Sequence, residues 1–199
     1  MAAVNRKARL LAGATAHAIS CVSYVTPGVL SWPTPCAGWD VAMLLQHVND
    51  SLAALHEGIA TGYIGPGPAD PAAGDPAAGL VATFRDRACQ LLAAAATSAC
   101  QDRTITIAGR HLEVTTLVAV AAIEVAVHGW DVAWACHCRR PIPPALATGL
   151  LKITPIVVTS ATRNVLFAAP VATSPPTSAS DRLLALLGRN PHAPTLTTA

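Results

Sequence analysis

Residues 113–136 constrain the fold more than any other part of the chain. This segment contains no proline, a single glycine at position 129 and few charged side chains. As a helix it spans roughly 36 Å, at about 1.5 Å per residue. Because apolar side chains occur on nearly every side of it, such a helix has to be covered by other elements all round. The segment therefore predicts a long interior helix in an all-α fold.

Three further segments show the spacing of amphipathic helices, with apolar side chains recurring at helical intervals. They are residues 3–25, 41–60 and 80–100. Asp40 is expected to cap the second of these helices, because its carboxylate accepts a hydrogen bond from an amide one turn later. A short extended segment, residues 104–109, follows the third. The pattern predicts an antiparallel four-helix bundle that includes the interior helix.

The C-terminal third predicts shorter helical elements. Pro143 and the proline after it suit the first turn of a helix, which Pro155 is expected to kink or interrupt. Ser180 or Asp181 is expected to cap a last short helix, and Gly188 is expected to close it. We therefore expect additional short elements beyond the four principal helices.

The remaining segments predict loops within one domain. Residues 62–79 consist mainly of glycine, proline and alanine, so they contribute little to a core and are interpreted as a long surface crossover. Residues 168–199 are interpreted as a C-terminal extension. A chain of 199 residues can bury one sizeable core, and we expect residues 1–199 to form a single domain.

The composition excludes some classes of partner. The chain is 52% hydrophobic and 12% charged, with a formal net charge of +2, so it has no concentrated field for nucleic acid or an anionic membrane. No stretch of about 18 apolar residues lacks a charge, proline or histidine, so we expect no membrane span. The N-terminal segment resembles a secretory signal, but its helical periodicity favours a bundle helix. The six cysteines are expected to be free thiols in a reducing cytoplasm.

Three polar side chains interrupt the interior helix on one side. A helix turns by about 100° per residue, so Glu124, His128 and Asp131 share one stripe. A buried carboxylate costs several kcal/mol unless it is paired or coordinates a cation. A hydrogen bond between Glu124 and His128 is one explanation, with Asp131 at the rim, and a shared metal ion is the other. His47, late in the second helix, is the candidate for a third ligand.

Two sequence blocks carry a resemblance to a known family. "TPCAGWDVAMLLQHV" and, far downstream, "EVAVHGWDVAWA" resemble the DinB/YfiT-like metal-binding superfamily, in the actinobacterial branch of mycothiol-dependent maleylpyruvate isomerases. The later "DRLLALLGRNP" resembles the usual ending of that branch. The resemblance implies a DinB-like bundle and a divalent metal held by His47, Glu124 and His128. Zinc suits this ligand set, and nickel, iron and manganese also accept it.

Other residues near these blocks are candidates for supporting roles around the ligands. Asp131 is expected to accept a hydrogen bond from an imidazole N–H, which would orient a ligand, although a helix-surface or capping role is also open. Trp39 and Trp130 are expected to pack the helix ends, with a substrate pocket as the alternative. Neither Cys36 nor the "CHC" stretch at 136–138 is favoured as a ligand.

The resemblance implies a metal-dependent enzyme that activates mycothiol or a similar low-molecular-weight thiol. The thiolate would attack an electrophilic small molecule, with S-transfer or isomerisation as the outcome. Two alternatives stay open: a thiol-independent isomerase or cyclase of secondary metabolism, and a non-catalytic metal- or small-molecule-binding protein. Arg163 or Arg182 is a candidate for binding a substrate carboxylate, but the low charge favours a more apolar substrate. A homodimer is also expected.

Overall fold

The computed structural model describes residues 2–62, 64, 76–97, 103–107, 110–163, 167–173 and 177–193. These residues form helices and one small hairpin, so the predicted all-α, DinB-like bundle is confirmed. In chain order the elements are α1 (Ala2–Val22), a 3₁₀ turn (Pro27–Val29), α2 (Val41–Thr61), α3 (Pro76–Ala96), β1 (Thr104–Ile107), β2 (Arg110–Glu113), α4 (Val114–Ala135), α5 (Pro144–Val157) and α6 (Ala179–Leu186).

Helix α4 is the centre of the bundle, as its composition predicts. Most of its side chains are buried, on every side of the helix. It packs so closely on α1 that a Cβ atom at Gly129 would lie 2.8 Å from the Cα atom of Ala18. Among the described helices, α4 is also the one long and apolar enough to cross a membrane, but 78% of that window is buried inside the protein. Its apolar surface is therefore explained by the bundle core.

The four long helices run up, down, down and up. Helices α1 and α4 are parallel, because Lys7 bonds Thr115 near their starts and Ala18 meets Gly129 further along. Helix α2 runs against α4, since Gly58 near the end of α2 contacts Leu117 near the start of α4. These contacts add the direction of each helix to the predicted bundle.

Helices α2 and α3 share a direction. Asn49 in the first half of α2 donates to the carbonyl of Leu80 near the start of α3, and Arg103, just after α3, donates to carbonyls at the end of α2. Most of the predicted crossover at 62–79 lies outside the described residues, so its role stays a prediction.

The start of the third helix requires correction. Helix α3 begins at Pro76, so the last four residues of the predicted 62–79 loop are helical, because proline is accommodated in the first turn of a helix. Asp40 caps α2 as predicted, with Oδ1 accepting from the Met43 amide at 2.8 Å. The polypeptide then leaves α2 at Gly62, which has a positive φ of 80°.

The C-terminal helices also differ from prediction in detail. Helix α5 continues two residues past Pro155 to Val157, so the proline does not interrupt it. Ser178 caps α6, rather than Ser180 or Asp181, because its hydroxyl accepts from the Asp181 amide at 3.0 Å. The Ser180 hydroxyl is used elsewhere, accepting from the Ile142 amide at 3.0 Å. This bond joins α6 to the segment that leads into α5.

The predicted extended segment pairs with a strand that the sequence did not indicate. Strands β1 and β2 form an antiparallel hairpin with Ile105 opposite Leu112. Strand β2, "RHLE", lacks the apolar alternation that predicts a strand, so it becomes recognisable only through its pairing. The hairpin leads directly into α4. Among the described cysteines all five are free, as predicted, and Cys100 lies outside the described residues.

His17 gives the folded bundle a testable pH dependence. Its side chain is buried on α1, and burial, with the nearby Arg140 charge, lowers the pKa of His17 from 6.5 to about 4. Between these values the unfolded chain binds a proton that the folded protein does not bind. We therefore expect the free energy of unfolding to fall as pH falls from 6.5 to 4, by up to about 1.4 kcal/mol per pH unit.

Urea unfolding across this pH range measures the effect. His17→Gln should flatten the dependence, whereas His56→Gln, at a partly exposed position, should retain it. A slope that is identical in wild type and His17→Gln would show that His17 does not cause it.

Candidate metal centre

Three side chains from two helices converge on one point of the bundle. His47 Nε2 of α2 lies 3.4 Å from Glu124 Oε1 of α4, and the rings of His47 and His128 are 5.4 Å apart between centroids. One ligand atom from each of the three residues lies within 4.8 Å of the other two. The structure thus brings together the residues that the sequence singled out as ligands.

Local structure explains why these side chains meet. Glu124 and His128 are one turn apart on α4, and α2 crosses this turn in the opposite direction. The ring of Trp39, just before the Asp40 cap, packs edge-on against His47 with centroids 4.7 Å apart. Trp39 thereby supports the imidazole of His47.

Glu124 is held as a carboxylate. Burial by itself would raise its pKa, but hydrogen bonds from His47 and Ser51 and the nearby imidazoles outweigh burial and lower the pKa of Glu124 to about 2. Ser51 lies one turn after His47 on α2, so the same helix face supplies both groups. The site therefore contains an anionic oxygen throughout the neutral pH range.

The donor set is one that divalent metals accept in proteins. The His47 and Glu124 side chains are 3.4 Å apart, at the long end for a hydrogen bond. Ligands at about 2.0–2.1 Å in a tetrahedron are separated by about 3.3 Å, which matches this spacing. The His47 and Glu124 side chains are 40% and 24% exposed, so the site opens to one side. Two imidazoles and one carboxylate with open positions are typical of catalytic rather than structural sites.

Asp131 orients one imidazole of the site. Its Oδ2 atom lies 3.0 Å from Nδ1 of His128, as predicted for an acceptor of the imidazole N–H. The side chain is fully buried, so the alternative that placed Asp131 at the rim is wrong. Burial would raise its pKa, but the charge of Arg189 and the contact with His128 keep the pKa of Asp131 low. With Nδ1 engaged by Asp131, Nε2 of His128 is left for a metal.

Arg189 completes this arrangement, and the sequence interpretation did not identify it. Its Nη2 donates to Asp131 Oδ2 at 3.1 Å and its Nη1 donates to the carbonyl of Leu187 at 3.0 Å. It follows Gly188, whose positive φ of 81° turns the chain at the end of α6. Its sequence signal is weak, because Arg189 is one of two arginines in a block that indicates only the last helix and the family resemblance.

Cys36 lies on the other side of His128. Its Sγ atom is 3.5 Å from Asp131 Oδ2 and 3.9 Å from His128 Nδ1, so these three residues also lie within ligand distance of one another. Burial, with the charge of Asp131, raises the pKa of Cys36 to about 12. Arg189 already supplies the positive charge at Asp131 and contacts the sulfur at 3.5 Å. Cys36 is therefore a protonated thiol, and the triad is the better metal site.

Other sequence candidates lie elsewhere. Trp130 is buried in the hydrophobic core and is absent from the described cavity lining, so the pocket alternative is wrong for this residue. Arg163 donates to the carbonyls of Ala168 and Leu186, and Arg182 is exposed on α6. Neither arginine is among the described residues that line the cavity, so the structure does not place them to bind a substrate carboxylate.

A cavity of about 1010 Å³ opens next to the triad. His47, Glu124 and His128 form part of its wall, together with Trp39 and Arg189. The rest comes from one face of α4, strand β2, the end of α5, the loop before α2 and the segments on either side of α6. This volume is at the upper end of the range typical of small-molecule sites.

Sequence comparison decides the family. The model of the family described as the mycothiol maleylpyruvate isomerase N-terminal domain matches residues 11–133. The chain belongs to this family. The matched range includes His47, Glu124, His128 and Asp131 but ends before Arg189. Comparison with curated proteins gave no match.

Two solved structures share the family's fold. One is the crystal structure of the mycothiol-dependent maleylpyruvate isomerase, at 18% identity and a TM-score of 0.56. The other is a histidine-to-alanine mutant of a mycothiol-dependent maleylpyruvate isomerase, at 17% identity and a TM-score of 0.56. Each match covers 73% of this chain and 67% of the other chain. At this identity the likeness establishes the fold alone.

The buried carboxylate of Asp131 yields a prediction about metal affinity. Asp131→Asn should weaken binding of zinc by about 10- to 100-fold, because His128 loses the anion that fixes its orientation. Competition with a chromophoric chelator measures the affinity. Asp50→Asn is the matched control, since Asp50 is exposed and faces Arg87 on the outer surface. Unchanged zinc affinity in a folded Asp131→Asn protein would remove the orienting role.

Proposed function

We propose that the protein is a metal-dependent enzyme that activates a low-molecular-weight thiol of the mycothiol type. The thiol would transfer to, or isomerise, an electrophilic small molecule. The observation that carries the proposal is the convergence of His47, Glu124 and His128 at the wall of a large cavity. The description of the chain's family names mycothiol and a maleylpyruvate isomerase, which supports both a thiol reactant and isomerase chemistry.

The three side chains would hold the metal, for which zinc is the first candidate. A bound divalent cation lowers the pKa of a thiol and stabilises negative charge on a substrate oxygen. Glu124 contributes the negative charge of the ligand set, and the two imidazoles contribute neutral nitrogens. Asp131 and Arg189 keep His128 in the tautomer whose free nitrogen faces the site.

The cavity supplies the surroundings of the reaction. Its apolar walls limit the water beside the reacting sulfur, which strengthens the electrostatic interactions of the ligand set. Cys36 stays protonated, so it does not compete with the external thiol as a nucleophile. The proposal includes a cytoplasmic location, where low-molecular-weight thiols are kept reduced. The homodimer, secondary metabolism and the exclusion of nucleic acid and membrane partners stay predictions.

His128→Ala tests the proposed ligand set. The substitution removes one ligand but keeps α4, because alanine has the highest helix propensity. We expect the metal content of the purified protein to fall from one equivalent to well below it, and binding of mycothiol to fall with it. Elemental analysis and a calorimetric thiol titration measure the two quantities. His192→Ala, at an exposed position outside the described cavity lining, is the control.

The outcomes separate the possible functions. Stoichiometric metal in His128→Ala would contradict the ligand assignment. If metal-loaded wild type converts an electrophile equally well with and without thiol, the thiol-independent enzyme is correct. Tight ligand binding without conversion of any electrophile would favour a binding protein.

A further inference from the structure

We infer that this cavity selects an electrophile without net charge, such as an unsaturated ester or ketone, over a dicarboxylate such as maleylpyruvate. The inference rests on the proposed function for the reaction, but its evidence is the lining of the cavity. It concerns the chemical class of the substrate, which the metal ligands themselves do not determine.

The walls away from the triad are largely apolar. Helix α4, strand β2, the end of α5 and the segment before α6 each contribute aliphatic or aromatic side chains to them. They include Leu112, Ile123, Val127, Ile156, Val157 and Phe167. A substrate that fills this space exchanges water for contact with the carbon atoms of these walls. This exchange costs an uncharged molecule less free energy than a charged one.

The cation on the wall is already paired. Among the described lining residues other than histidines, Arg189 is the one with a positive charge. Its Nε and Nη2 atoms face Asp131 at 3.5 and 3.1 Å, and Nη1 bonds the carbonyl of Leu187. Asp131 is fully buried, so withdrawing Arg189 to bind a substrate carboxylate would leave a buried anion unpaired. Arg189 therefore lines the cavity with its charge already balanced by Asp131.

The remaining charges balance around the reacting groups. A divalent cation held by Glu124 and two neutral imidazoles leaves one positive charge, and a bound thiolate cancels it. No net positive charge then remains for two further carboxylates. Thr116 and Thr159 on the wall add neutral hydrogen-bonding side chains instead. Such groups suit a ketone or ester carbonyl.

The chemistry of an unsaturated ester fits without another reactant. The sulfur forms a bond to the β-carbon of the alkene while the π bond breaks and its electrons move onto the carbonyl oxygen. The proton released by the thiol ends on the α-carbon, which gives a thioether with no change in overall oxidation state. Loss of a proton and the thiolate after rotation about the former double bond returns the thiol and gives the isomer.

Matched pairs of ligands test the substrate class. Succinate and dimethyl succinate share a skeleton and do not react with thiols, and metal-free Glu124→Gln lacks the anion of the triad, so calorimetric binding to this variant reports on the walls. We expect the diester to bind at least about tenfold more tightly than the dianion. Equal or tighter binding of the dianion would overturn the inference.

A charge added to the wall provides a second test. Ile156 lines the cavity and Met43 does not, yet they are 48% and 50% exposed, so Ile156→Arg and Met43→Arg add the same charge at comparable cost to folding. Ile156→Arg should reduce the preference for the diester at least about fivefold, while Met43→Arg should leave it unchanged. Thr159→Arg, also at an exposed lining position, provides a second variant. Equal effects of the Ile156 and Met43 variants would contradict selection by the wall.

Turnover separates this inference from the proposed function. With metal and thiol present, we expect kcat/KM for dimethyl maleate, divided by its uncatalysed rate with the same thiol, to exceed the value for maleate. If neither compound is converted while the diester still binds selectively to the metal-free protein, the proposed function fails and the substrate class stands. Faster relative conversion of maleate would refute the substrate class while supporting the function.

Discussion

The partly buried carboxylate of Glu124 is the constraint on which the rest of the site depends. Helix α4 has apolar side chains on nearly all sides and lies at the centre of the bundle, so a charge on it needs compensation. Helix α2 supplies that compensation with His47 and Ser51, and α4 itself supplies His128 one turn away. The same crossing of two helices thus stabilises the carboxylate and assembles a ligand set.

A second layer of charges links the site to the end of the chain. His128 contacts Asp131, and Asp131 is paired with Arg189, which follows α6. Helix α6 is fixed in turn by Ser180 against the segment before α5 and by Arg163 against the carbonyl of Leu186. The C-terminal elements therefore fix the orientation of His128 on the central helix. Leu187 and Arg189 from this region also line the cavity, so the site depends on the part of the chain beyond the family match.

Much of this arrangement follows from local sequence patterns. Apolar periodicity predicts α1 to α3, the uninterrupted apolar composition predicts α4, and Asp40 predicts the start of α2. The spacing on α4 predicts that Glu124 and His128 share a face. Features that depend on contacts between segments distant in sequence cannot be predicted from local patterns. The polar strand β2 exists because β1 pairs with it, and Ser178 takes the cap because Ser180 is engaged elsewhere. Arg189 acquires its role through Asp131, 58 positions earlier, and no local pattern indicates such a pair.

X-ray absorption spectroscopy of the zinc-loaded protein tests the central claim most directly, because it identifies the atoms that bind the metal. The account predicts a first shell of nitrogen and oxygen at about 2.0–2.2 Å with the scattering of two imidazoles, and a sulfur at about 2.3 Å only after a thiol is added. Sulfur in the shell before thiol is added would instead indicate Cys36 as a ligand. A shell without two imidazoles would contradict the convergence of His47 and His128 on one ion.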